Sequence, residues 1–214
     1  RTGHVDVIIS VGNNFFYTKS LPCSLWFFDK GKADALRDTV LFIDARSYYT
    51  VVDRTLNEWS AWQLKNLNAI VWLYRGEREK YGALLAEYRA ALGSDAPFAE
   101  QIHACAEEIK TLRTEAKRAV DAAERRTKKK TQAEYDARLA ALTERQTVAQ
   151  EALWLYEKFG EGEYRDVLGL CKVAYQTEEA RGADTDGACI EEKGWSLTPG
   201  AYVGVAPIPD DGVD

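Results

Sequence analysis

The chain has 214 residues, is 46% hydrophobic and 29% charged, and carries a formal net charge of −6. This composition supports a buried core and excludes general disorder, while the longest apolar runs are too short for a membrane span or a secretion signal. The four cysteines lie far apart, and only two histidines accompany them. We therefore expect no metal site, and reduced thiols in the cytoplasm.

Three apolar runs near the start predict short β-strands, over residues 5–11, 23–28 and 40–44. Because they are nearly continuous rather than alternating, we expect both faces of these strands to be covered. Only short loops separate them, so the cover must come from later segments or from residues upstream of Arg1. The chain begins at Arg1 and lacks methionine, which favours a piece of a longer protein.

Helical signals follow the strands. Ser60 and Gln63 predict a capping box at the start of a helix, whose apolar positions are Leu64, Leu67, Ile70, Val71 and Tyr74. Residues 77–92 predict a further helix that ends at Gly93, and Pro97 suits the first turn of the next one.

A heptad pattern then predicts two long helices. Its apolar positions are Ile102, Cys105, Ile109, Leu112, Ala116, Ala119 and Ala123, then Tyr135, Leu139, Leu142, Ala149, Leu153 and Tyr156, with Gln146 as a polar exception. The break "RTKKKTQ" between them is short, so the helices should form an antiparallel, coiled-coil-like hairpin over about residues 97–158. Two helices of about 30 residues would each reach ~45 Å.

The remaining segment, 161–214, is rich in loop signals and acidic. It contains twelve carboxylate side chains and four basic ones, which gives this segment a net charge of −8. The chain contains no glycine-rich phosphate loop, no His-Glu-x-x-His and no nucleophile elbow. Asp44 and Arg46 end a strand, and their spacing favours a local ion pair or cap over catalysis. Motifs within the chain alone therefore predict no enzyme.

Four blocks, "VDVIISVGNNFFYTKSLPCSLWFFDK", "VLFIDARSYYTVVDRT", "YRDVLGLCKVA" and "LTPGAYVG", stand in this order along the chain. The chain thereby resembles the C-terminal part of the modification subunit of type I restriction–modification systems, most strongly over 5–54 and 164–204. That resemblance implies an adenine-specific DNA methyltransferase that uses S-adenosylmethionine. In such proteins the cofactor loop and the catalytic Asn-Pro-Pro-Phe motif precede the first block, and neither occurs here.

The resemblance thus implies an α/β fragment, the C-terminal strands of a Rossmann-like methyltransferase sheet plus the helical hairpin. The implied segments are 1–54 (strands and target-base loop), 55–160 (helical region) and 161–214 (acidic loops). No catalytic or cofactor-binding residue is expected in it, and the fragment alone should be inactive without bound S-adenosylmethionine.

The resemblance also implies a role for the aromatic residues of the first block. An adenine amino group is reached by flipping the base out of the duplex, and the flipped ring stacks on an aromatic side chain. Phe16 is the expected stacking residue, with Phe15 or Tyr17 behind it. The alternative is that these rings are core. The related pattern ends "TPGRYVG", whereas this chain has Ala201 at the arginine position.

The implied partners are DNA, a specificity subunit and a restriction subunit. An alternative function is a non-enzymatic interaction module built on the helical hairpin. Residues 117–130 carry a net charge of +5. Lys128, Lys129 and Lys130 at the hairpin tip are therefore candidate contacts for DNA phosphates or an acidic partner, or else a solvated tip.

Overall fold

The computed structural model describes residues 3–16 and 18–205. The chain forms two compact units, a sheet unit from the segments up to Glu77 and from Glu163 onward, and a helical unit, Arg78–Gly162. These bounds differ from the three predicted segments. The first helix and the acidic C-terminal segment both belong to the sheet unit.

A five-stranded mixed sheet forms the centre of the sheet unit, in the order β2-β1-β3-β6-β7. β1 is parallel to β3 and antiparallel to β2, while β6 is antiparallel to β3 and parallel to β7. A separate two-stranded ribbon is formed by β4 and β5. The strands are β1 Val5–Val11, β2 Cys23–Phe28, β3 Thr39–Ala45, β4 Thr50–Val51, β5 Asn57–Glu58, β6 Cys171–Tyr175 and β7 Ala188–Cys189.

The three predicted strands are confirmed as β1, β2 and β3. The expectation that all are covered on both faces is wrong for β2, because Trp26 is 43% and Phe28 65% exposed. Within the described residues β2 pairs only with β1, so it is an edge strand. β1 and β3, which lie inside the sheet, are almost entirely buried.

β6 and β7 were not predicted, since they lie in the segment read as loops. β6 extends the sheet by pairing with β3, and together they build one face of the core. On that face the ring of Tyr202 stacks on Phe42, with centroids 4.0 Å apart and planes 8° apart. The same cluster contains Ile8, Val40, Ala174, Ile190 and Val203.

Six α-helices occur in the described residues, namely α1 Ala61–Tyr74, α2 Arg78–Leu92, α3 Phe98–Ala122, α4 Lys128–Phe159, α5 Glu178–Arg181 and α6 Gly200–Val203. The predicted capping box of α1 is confirmed, with Gln63 N donating to Ser60 Oγ at 3.2 Å. None of these helices has both the length and the apolar character that crossing a membrane requires.

In the helical unit α3 and α4 run antiparallel. The ring of Phe98, at the start of α3, lies 5.9 Å from that of Tyr156 near the end of α4. Gln146 Nε2 donates to the Ile102 carbonyl at 3.4 Å. The helices have 25 and 32 residues, so α4 is close to the predicted length of about 30 residues and α3 is shorter. Their classification as a coiled coil stays an interpretation.

The buried positions of α3 follow the predicted heptad, with Cys105, Ile109, Leu112 and Ala116 in the core. On α4 the predicted Ala149 is buried, but the other buried positions, Val148, Ala152, Leu155 and Phe159, were not predicted, and the predicted Leu153 and Tyr156 are only half-buried. The shift has a physical cause, because the final turns of α4 pack against α2 as well as α3.

Candidate functional site

Two loops leave the sheet side by side at the ends of β1 and β3. The strands are parallel, and Val11 pairs with Ala45 at their carboxyl ends. In α/β sheets, ligands bind outside the carboxyl ends of parallel strands. We call this region, residues 12–16 with 44–59, the carboxyl edge.

The loop after β1 is fixed by its neighbour. A Cβ on Gly12 would lie 2.6 Å from the Arg46 carbonyl oxygen, so only glycine fits there. Asn14 has a φ of 63°, a left-handed conformation that asparagine tolerates. Asn57 then holds the loop with two hydrogen bonds, from its backbone N to Asn14 O at 2.7 Å and from Nδ2 to Asn13 O at 2.9 Å. Backbone atoms of this loop are therefore held before any ligand arrives.

Phe15 is packed against other rings. Its centroid lies 4.9 Å from Trp59 and 5.9 Å from Tyr49, the latter in an edge-on arrangement. Trp59 is itself fixed, because its Nε1 donates to the Tyr48 carbonyl at 2.7 Å. Phe15 is thus an anchor of the loop.

Phe16 faces a different environment. It is 49% exposed, and among residues 3–16 and 18–205 its ring has no aromatic partner. Its carbonyl accepts a hydrogen bond from Lys19 N at 3.4 Å. The side chain therefore presents a ring to solvent from a fixed backbone. Tyr17, the third predicted stacking residue, lies outside the described residues.

Asp44 and Arg46 form a multiple ion pair at the same edge. Arg46 Nε lies 2.8 Å from Asp44 Oδ1, and Nη2 lies 2.6 Å from Oδ2. These hydrogen bonds and the nearby negative charge raise the pKa of Arg46. The local ion pair expected from the sequence is present.

The three candidate lysines at the hairpin tip lie in the helical unit. Lys128, Lys129 and Lys130 are exposed and form the first turn of α4. Lys130 Nζ is 4.0 Å from Glu134. Three cations at a helix N-terminus oppose the helix dipole, so they add nothing to the stability of α4.

Within the described part of the chain, no group of three or more histidine, cysteine or acidic side chains could hold a metal ion.

Sequence reasoning missed the side chains that fix the loop, Tyr49, Asn57 and Trp59. The run "YY" after β3 and the "NEW" tripeptide were the only signals, and neither indicates what it packs against.

The family described as N-6 DNA Methylase matches residues 1–91, which include the whole carboxyl edge. The chain is also similar to a methylase subunit of a type I restriction enzyme. It is 42% identical over 50 residues to the type I restriction enzyme MjaIX methylase subunit of Methanocaldococcus jannaschii, an alignment that covers 23% of this chain and 9% of the relative.

A solved structure also matches, that of a type I restriction–modification methyltransferase subunit from Streptococcus thermophilus. It has 21% sequence identity and a TM-score of 0.29, and the match covers 33% of this chain and 14% of that one. The aligned segments thus span only a small part of the length of both relatives.

Proposed function

We propose that this chain is the part of an adenine-specific DNA methyltransferase subunit, in a type I restriction–modification system, that receives the flipped target base. The observation that carries the proposal is the exposed ring of Phe16 on a loop fixed at the carboxyl edge. The relatedness of residues 1–91 to N-6 DNA methylases supports it.

S-adenosylmethionine is the methyl donor that this family relationship implies. The loop after β1 does not fit it, because the space beside Gly12 is filled by the Arg46 carbonyl oxygen, which lies 2.6 Å from the Cβ position of that glycine. We therefore place the cofactor on another part of the complete subunit. The chain's own task is to bind and orient the base.

A base inside the duplex hides its amino group, so the target nucleotide has to leave the stack. Stacking on an aromatic ring stabilises the flipped base by about 1–3 kcal/mol. Phe16 offers such a ring, while Phe15, held by Trp59 and Tyr49, keeps the loop backbone in place. The loop therefore needs little reordering when the base arrives.

The test uses the complete subunit in its assembled enzyme. With 2-aminopurine at the target position, Phe16→Ala should reduce base-flipping fluorescence and weaken the flipped state by about 5- to 150-fold, the equivalent of 1–3 kcal/mol. Phe16→Trp should retain most of the signal.

Trp195→Ala is the matched control, because Trp195 is another exposed aromatic residue (55%) in the same unit but beyond β7. If Phe16→Ala leaves both the fluorescence and the methylation rate unchanged, the stacking role is wrong.

A second proposal concerns the hairpin, which would act as an interaction arm whether or not the chain takes part in catalysis. Its tip, residues 117–130, carries a net charge of +5 in a chain of −6. We propose that Lys128, Lys129 and Lys130 contact DNA phosphates when the specificity and restriction subunits are assembled with the enzyme. Each neutralised phosphate would add about 0.9 to the log–log salt slope of binding.

Replacing these three lysines with glutamine should flatten that slope by up to about 3. The control variant replaces three other exposed lysines with glutamine, namely Lys30, Lys80 and Lys193. It removes the same amount of charge from other parts of the surface. An unchanged slope with impaired subunit assembly would assign the tip to a protein partner instead. Unchanged slope and assembly would leave a solvated tip.

A further inference from the structure

The guanidinium of Arg46 is held in one orientation at the carboxyl edge. Asp44 accepts from Arg46 Nε at 2.8 Å and from Nη2 at 2.6 Å, and also from the Arg46 backbone N at 3.2 Å. Asp44 is fixed in turn, since its N donates to the Leu170 carbonyl at 2.7 Å. The carboxylate side chain is 10% exposed and that of Arg46 is 55% exposed. The pair therefore presents its cation, and not its anion, to solvent.

Two glycines lie against this arginine. A Cβ on Gly12 would collide with the Arg46 carbonyl oxygen, and a Cβ on Gly200 would lie 2.9 Å from Arg46 Nη2. Neither glycine has a positive φ, so space around Arg46, rather than backbone conformation, accounts for both. Gly12 thus lies against the backbone of Arg46, and Gly200 lies against its side chain.

One nitrogen of the guanidinium is uncommitted. Nε and Nη2 both donate to Asp44, whereas Nη1 has no hydrogen-bond partner within residues 3–16 and 18–205. A planar guanidinium with one edge on a carboxylate still has donors for a second anion, and arginine is well suited to phosphate oxygens.

We propose that Arg46 binds a DNA backbone phosphate beside the flipped nucleotide. The inference rests on the proposed base-receiving function, and it adds the group that would hold the backbone while the base leaves the stack. Arg46 directly follows Ala45, which pairs with Val11, and the loop with Phe16 starts at Gly12. Phosphate contacts of this kind position a duplex without reading its sequence. Arg46 is therefore a positioning residue for the target nucleotide.

The experiment uses duplexes in which single phosphates around the target base are replaced by uncharged methylphosphonates. The assembled wild-type enzyme should lose about 10-fold or more in affinity at one flanking phosphate, as expected for a lost charge-assisted hydrogen bond. Arg46→Gln should bind unmodified DNA that much more weakly, and should be insensitive to methylphosphonate at that position.

Two further variants keep the result interpretable. Arg46→Lys retains a charge next to Asp44 but lacks the second donor edge, so it should stay folded and lose the same sensitivity. Arg37→Gln is the control, because Arg37 also pairs with an aspartate, Asp34, and its side chain is 62% exposed. It should behave like the wild type.

If folded Arg46→Gln and Arg46→Lys enzymes keep the full methylphosphonate effect, the phosphate contact is wrong. The same duplexes with 2-aminopurine separate this failure from that of the proposed function. A Phe16→Ala effect on fluorescence would show that base stacking holds even when the Arg46 inference does not.

Discussion

The ring of Phe15 lies 4.9 Å from that of Trp59, whereas the next residue in the chain, Phe16, leaves half of its side chain in solvent. Two identical side chains in sequence thus have opposite environments. The first stabilises the loop, and the second is available to a ligand.

This difference gives a prediction about stability. Phe15→Ala should lower the free energy of unfolding of the sheet unit by roughly 1.5–3 kcal/mol, because it removes apolar contact with Trp59 and Tyr49. Phe16→Ala should change it by less than about 0.5 kcal/mol, as is usual for surface substitutions. Urea unfolding followed by tryptophan fluorescence measures both. Equal losses would mean that Phe16 is a packing residue.

A buried charge cluster gives the second prediction. Asp6 is 1% exposed, accepts from Arg75 Nε at 3.0 Å and lies 3.7 Å from Lys32 Nζ. Burial lowers the pKa of Lys32, and the charge of Asp6 acts against that decrease. Asp6→Ala would leave two cations without their carboxylate.

We expect Asp6→Ala to cost about 3–5 kcal/mol of unfolding free energy, as when one partner of a buried pair is removed. The control is Asp34→Ala, which breaks the exposed pair with Arg37 and should cost at most about 1 kcal/mol. Thermal unfolding by circular dichroism compares the two. A cost below that of Asp34→Ala would contradict a stabilising role for the cluster.

The third prediction concerns alkaline pH. Burial raises the pKa of Tyr202 from 10.0 to about 12, and its hydroxyl donates to the Ser196 carbonyl. Below pH 10 the side chain is neutral in both the folded and the unfolded state, and its contribution to the free energy of unfolding is fully present. Above pH 10 the unfolded state loses this proton first, so stability falls as the pH rises through 10 to 12.

Tyr202→Phe should keep the stack on Phe42 and make the decrease in stability over this pH range shallower. Burial also raises the pKa of Tyr74 and Tyr164, so part of the slope should persist. Urea midpoints measured from pH 8 to pH 12 test this. An unchanged slope in the variant would show that Tyr202 titrates alike in both states.

The fourth prediction compares two leucines on α4. Leu155 is fully buried, whereas Leu153, which the heptad pattern placed in the seam, is half-buried. Leu155→Ala should therefore cost about 2–5 kcal/mol, and Leu153→Ala clearly less. Helical circular dichroism during urea unfolding measures the difference. A larger loss for Leu153→Ala than for Leu155→Ala would instead support the heptad register predicted from the sequence.

The strands and helices were predictable wherever local pattern decides them. Continuous apolar runs located β1, β2 and β3, and Ser60 with Gln63 located the start of α1. What the pattern could not show is the partner of each element. β2 is as apolar as β1 but lies at the edge of the sheet, and β6 looks like a loop until it pairs with β3 across more than 100 residues of chain.

The candidate site was predictable to a similar degree. The resemblance pointed to Phe16, which is exposed, and its stacking role stays a prediction. The packing of Phe15 on Trp59 and the clamp by Asn57 depend on contacts between residues more than 40 positions apart. A single sequence carries no local signal for such contacts, and Arg46 was read only as half of an ion pair.

The pairing of β3 with β6 has a consequence for synthesis. The helical unit lies between them in the sequence, so Phe16 and Arg46 are synthesised well before Leu170 and Gly200. Leu170 accepts a hydrogen bond from Asp44 N, and Gly200 lies against Arg46. Domains fold as their chain emerges, and contacts distant in sequence form late. A nascent chain that has reached only residue 162 therefore contains Asp44 and Arg46 but lacks the Leu170 carbonyl that accepts a hydrogen bond from Asp44 N. The backbone contact that fixes Asp44 therefore forms only after the hairpin has had time to fold.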